Sequence, residues 1–66
     1  MRVTVNGRDR EVAAGLTVAA LLGDAGVDAE RTVVELNRQV LTHEAYGSTT
    51  LRPGDTLELV EVVGGG

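Results

Sequence analysis

The chain has no cysteine, lysine, phenylalanine or tryptophan, and it has one proline, one tyrosine and one histidine. Without cysteine there is no disulfide framework, no thiolate-ligated metal and no thiol nucleophile. Without lysine, no side-chain amine of the chain can capture an activated acyl group. The lack of large aromatics leaves Val, Leu and Ala to build the core, each side chain contributing roughly 1.5–3 kcal/mol at best when fully buried. A chain of 66 residues is one domain, and domains of this size bury only about 60% of the surface exposed by the unfolded chain. The core is therefore small, and a large internal active site is not expected.

Long apolar runs are missing too. The opening residues "MRVTVNG" alternate as a strand does, and no stretch approaches the apolar core of a signal peptide or the roughly 20 residues of a membrane span. A cytoplasmic location is the expectation. Six arginines against ten acidic side chains give a net charge of −4, the wrong sign for binding nucleic acid or an anionic membrane surface. A protein partner with a basic docking surface suits this charge better.

In "RVTVNGRDREV", apolar residues at Met1, Val3 and Val5 precede Asn6-Gly7 and a polar-rich run ending in Val12. Asn-Gly between two strand-like runs predicts a hairpin, because a type I′ turn needs positive φ at both central residues. In "GLTVAALLGDAG" the period changes: Val18, Leu21, Leu22 and Ala25 form one helical stripe. Thr17 is the expected N-cap, Leu16 and Leu21 are spaced as a hydrophobic staple, and Gly23 or Gly26 is the stop. So short a helix needs a sheet to lie against.

"RTVVELNRQVL" reads as strands over Val33–Leu36 and Gln39–Leu41 joined tightly at Asn37-Arg38. "THEAYGSTTL" reads as a connection with one helical turn around Glu44–Tyr46, with Tyr46 pinning it to the core. "RPGD" is a turn by its chemistry, and "TLELVEVV" is the longest strand candidate. The order of elements predicts an α+β fold with one helix across a mixed sheet of four to five strands. It resembles the ubiquitin-like β-grasp, in which first and last strands lie side by side and parallel. Residues 1–63 form that domain in this reading, and residues 64–66 a flexible glycine tail.

The final strand runs straight into "GGG". If the terminal carboxylate is the reacting group it needs activation, usually adenylation with ATP, and so a second protein whose site it enters as a narrow thread. Glycine suits a thread because it has no Cβ and visits positive φ freely. Ordering it on docking costs roughly 1–2 kcal/mol per residue, which the strand before it must offset. Leu57 and Leu59 share one face of that strand, and Val60 and Val62 share the other. Apolarity on both faces means either a bulge near Val60 or an exposed docking patch at Val60 and Val62 beside the tail. The patch is the reading preferred here.

The 66-residue length, the "VNG" hairpin, the "TVAALL" helix, the "ELNRQVL" hairpin and the "LRPGDTLELVEVVGGG" finish together resemble the ThiS family, sulfur carriers of thiamine thiazole synthesis, over essentially the whole chain. The resemblance implies a non-enzymatic carrier that binds no cofactor itself. A ThiF-type adenylyltransferase, related to ubiquitin-activating enzymes, would consume ATP to adenylate Gly66. A persulfide from a cysteine desulfurase would convert the adenylate to a thiocarboxylate, and a ThiG-type thiazole synthase would take the sulfur. Gly64 and Gly65 would be the thread. The family needs only two terminal glycines, so Gly64 extends the thread.

Other readings are a carrier for molybdopterin or another sulfur-containing metabolite, a ubiquitin-like modifier joined to targets through Gly66, and a passive interaction module. Molybdopterin carriers are usually longer and often have prolines before the tail, whereas this chain has only Pro53. His43 lacks the partners of a metal site and reads as a solvated loop residue. Asp24, Asp28 and Glu30 read first as solvated surface and second as a contact for a basic partner, and Ser48 with His43 makes no defensible catalytic arrangement.

Overall fold

The computed structural model describes residues 1–63. Two hairpins and a final strand form one sheet, and a single helix covers one of its faces. β1 (Arg2–Val5) and β2 (Arg8–Glu11) pair antiparallel around a turn in which Asn6 and Gly7 have φ of 51° and 80°. Both central residues thus adopt the positive φ that a two-residue hairpin turn demands. Val12 lies just outside β2, although its N–H still donates to the Met1 carbonyl at 2.8 Å.

α1 (Val18–Ala25) starts where Thr17 Oγ1 accepts the Ala20 N–H at 3.2 Å. It ends at Gly26, which is left-handed with φ 72°. The Val27 N–H reaches back to the Leu22 carbonyl at 3.2 Å, so Gly26 rather than Gly23 is the stop. Val18, Leu21 and Leu22 are buried against the sheet, and Leu16 packs on the same core.

A turn of 3₁₀ helix follows at Ala29–Arg31, an element absent from the expected order. Its start is Asp28, whose carboxylate accepts the Glu30 N–H at 3.0 Å. Asp28 is therefore a capping residue as well as a solvated charge, and three residues are too few for any periodic signal.

β3 (Thr32–Leu36) and β4 (Gln39–Val40) form the second hairpin, with Asn37 and Arg38 at φ of 50° and 71°. β4 has two residues, one fewer than expected, although the Leu41 N–H still reaches the Val34 carbonyl at 2.9 Å. The anticipated helical turn is a 3₁₀ turn at His43–Ala45, with Tyr46 capping it. β5 (Thr56–Glu61) follows the Arg52–Asp55 turn, in which Gly54 has φ 85°.

The strand order is β2-β1-β5-β3-β4. β1 and β5 are parallel and every other pair is antiparallel. The first and last strands thus meet at the middle of the sheet, as in the ubiquitin-like β-grasp. Leu57 on that middle strand is fully buried among Val3, Val5, Leu21, Leu22, Val34 and Leu51. Truncating it to Ala should cost about 2–5 kcal/mol, much of the stability of so small a domain. Tyr46, 4% exposed, donates its hydroxyl to the Thr32 carbonyl at 2.7 Å and so ties the β4–β5 connection to β3.

Candidate functional site: the outlet of the last strand

β5 is held in place largely by backbone and turn chemistry. Asn6 Oδ1 accepts the Leu59 N–H at 2.8 Å, and Asn37 Oδ1 accepts the Thr56 N–H at 3.0 Å. Asn37 Nδ2 also donates to Asp55 Oδ1 at 3.1 Å, while Asp55 Oδ2 accepts the Arg52 N–H at 2.8 Å. Each hairpin turn therefore supplies an asparagine that tolerates positive φ and uses its side chain to fix the middle strand. Neither clamp was apparent from the sequence, where asparagine in a turn is explained by local backbone preference alone.

The register of β5 against β3 is unbroken from Leu36↔Leu57 to Thr32↔Glu61. No bulge intervenes, so Val60 falls on the face opposite to Leu57 and away from α1. Val60 is 55% exposed and Val62 51%. The two-faced apolarity of the strand is thus a surface feature, of the two alternatives the sequence left open.

Pairing adds residues that sequence reading missed. Val33 stands directly across from Val60, and Glu35 lies between Glu58 on one side and Val40 on the other. Val40 is 66% exposed and Val33 half-buried. The outer face therefore carries Val33, Val40 and Val60 around two carboxylates placed opposite each other, with Val62 following. The signal was present in "TVVEL", apolar on both faces just as "LELV" is. Like charges directly across a sheet are unfavourable, so this face sets a destabilising carboxylate pair among exposed valines.

His43 is exposed and its ring lies 5.0 Å from that of Tyr46, tilted by 34°. No cluster of metal-ligating side chains occurs among the described residues. Gly64, Gly65 and Gly66 lie outside the described residues. Among the described residues, no helix is long and apolar enough to cross a membrane.

A five-stranded mixed sheet grasping one helix, with its parallel middle strand leading to a run of glycines, defines a ubiquitin-like β-grasp protein. The family model of ThiS matches residues 3–66, and the chain belongs to the ThiS family. It is 43% identical to a thiamine biosynthesis protein (ThiS) from Geobacter metallireducens, whose crystal structure superposes with a TM-score of 0.86 and full coverage of both chains. It is also 39% identical to a region of the thiazole synthase of Paramagnetospirillum magneticum and 35% identical to a region of that of Magnetococcus marinus. All of this chain is matched, but it spans only 20% of the length of either thiazole synthase.

Proposed function

We propose that the chain is a sulfur carrier for the thiazole moiety of thiamine, a co-substrate consumed and regenerated rather than an enzyme. The observation that carries this reading is the outlet of β5. A central, doubly paired strand carries the exposed Val60 and Val62 just before the glycines in sequence, within a family that includes a solved thiamine biosynthesis protein. The thiazole synthases that contain a region similar to the whole of this chain support thiazole synthase as the acceptor.

In the proposed cycle an oxygen of the Gly66 carboxylate attacks the α-phosphorus of ATP in a ThiF-type adenylyltransferase, and pyrophosphate leaves. The terminal sulfur of a persulfide, supplied by a cysteine desulfurase, then displaces AMP from the acyl carbon. A further thiol reduces the resulting acyl disulfide and leaves a thiocarboxylate. A ThiG-type thiazole synthase takes the sulfur and the carboxylate returns. Gly64 and Gly65 thread the reacting end into each partner, and Val60 and Val62 dock beside it. The chain itself supplies position and direction, and its cycle suits the cytoplasm.

The test is pyrophosphate release from ATP by a purified ThiF-type enzyme, after the C-terminal residue of the native carrier has been established by mass. Release in proportion to carrier, abolished by removing Gly65 and Gly66, is the expected result. No release, with the enzyme active on another carrier, would overturn the reading.

A further inference from the structure

The two outer edges of the sheet are protected against pairing: β2 reads Arg-Asp-Arg-Glu and β4 has only two residues. An unprotected edge lies inside the sheet. β1 runs beside β5 only at Thr4↔Thr56 and Val5↔Leu57, then turns away at Asn6-Gly7, whereas β5 continues to Glu61. On its other side β5 stays paired with β3 throughout.

The ladder fixes which backbone groups are free. The Asn37 N–H donates to the Thr56 carbonyl and the Val62 N–H to the Arg31 carbonyl. Even-numbered residues of β5 therefore bond to β3, and odd-numbered ones turn their backbone groups toward the β1 side. There the Leu57 carbonyl accepts the Asn6 N–H, and the Leu59 N–H is taken by Asn6 Oδ1. Next in line are the Leu59 carbonyl and the Glu61 N–H and carbonyl, with no partner among the described residues. They border an open cleft of about 450 Å³, whose lining includes the apolar Val5, Val27 and Leu59 and the charged Arg8, Asp9, Arg10 and Glu61.

We infer that Leu59–Glu61 accepts an added strand from the enzyme that activates the tail, an extended segment placing an apolar side chain in this cleft and a basic one toward Glu58. The inference rests on the carrier reading and deepens it by naming how the partner grips the chain. Position argues for it: the free edge is continuous with Val62 and Val63, so a strand bonded there fixes the direction in which the glycines leave. Charge argues for the same occupant. The side chains around the cleft balance, Arg8 and Arg10 against Asp9 and Glu61, but on the outer face Glu35 and Glu58 stand opposite each other and attract a basic side chain, whereas a second copy would bring two chains of charge −4 together. Main-chain bonds of this kind give affinity, and side-chain pockets give selectivity.

The test combines amide exchange with one backbone substitution, using the full chain and a purified ThiF-type adenylyltransferase. Glu61→Pro deletes the free N–H without removing a bond to β3, and proline is tolerated at such a position. Glu61→Ala keeps the N–H and loses only the charge. In the complex, the Glu61 amide of the unmodified chain should exchange at least about tenfold more slowly, and Glu61→Pro should bind at least about tenfold more weakly than Glu61→Ala. A complex that leaves the Glu61 amide unprotected and binds both variants alike would overturn strand addition and leave the carrier reading standing. Failure of the unmodified chain to bind would overturn both. Protection that rises with the concentration of the free chain, with a doubling of mass, would assign the edge to self-pairing and overturn the inference.

Discussion

Asn6 and Leu59 are 53 positions apart, yet the Asn6 side-chain carbonyl accepts the Leu59 N–H at 2.8 Å. The bond sits where β1 leaves the sheet and β5 continues toward the tail. It turns the first hairpin into a clamp on the last strand. Asn6→Gly should keep the positive φ of the turn and lose the clamp. Urea denaturation should show a loss of about 1 kcal/mol, the net value of one hydrogen bond. An unchanged midpoint would show that solvent replaces Asn6 without cost.

Tyr46→Phe removes the hydroxyl from Thr32 and leaves a buried carbonyl without that donor. The expected loss is about 1–3 kcal/mol, read by thermal or urea unfolding. The β4–β5 connection should show the largest increase in amide exchange.

Arg38 holds a left-handed conformation that costs a non-glycine residue about 1–2 kcal/mol. Arg38→Gly should recover part of that and raise stability by roughly 0.5–1 kcal/mol once the greater freedom of glycine in the unfolded chain is subtracted. A midpoint that falls instead would mean that the arginine side chain contributes more than its backbone costs.

Val60 and Val62 carry little of the folding energy because about half of each is exposed. The double substitution Val60→Thr and Val62→Thr keeps the branched shape and should leave stability within about 0.5 kcal/mol. The apparent KM for the carrier in adenylation should rise about tenfold with kcat nearly unchanged, the pattern of lost docking energy.

Glu35 and Glu58 face each other across the ladder. Glu58→Gln should therefore stabilise the fold by about 0.2–1 kcal/mol. The same change should slow association with a basic partner, most visibly at low salt. Opposite signs for stability and association rate are the signature of a surface shaped by its partner.

The hairpin at Asn6-Gly7, the helix from Thr17 and the exit of β5 were legible because each depends on neighbours in sequence: turn φ, a capping hydroxyl, a two-residue period. The second hairpin was legible in place despite having no glycine, since Asn37 and Arg38 fell between two alternating runs. What was not legible depends on register. Nothing local puts Val33 beside Val60, Glu35 beside Glu58, or the Asn6 amide beside Leu59, because those neighbours are set by the parallel crossover and the β3–β5 ladder. The choice between bulge and patch at Val60 was open for the same reason.

The most direct measurement is the intact mass of the carrier after incubation with ATP, a ThiF-type adenylyltransferase and a cysteine desulfurase with cysteine, followed by sequencing of its C-terminal fragment. Replacement of one oxygen by sulfur at Gly66 is expected, reversed when thiazole synthase and its substrates are added. An unmodified Gly66, under conditions in which the same enzymes load another carrier, would contradict it.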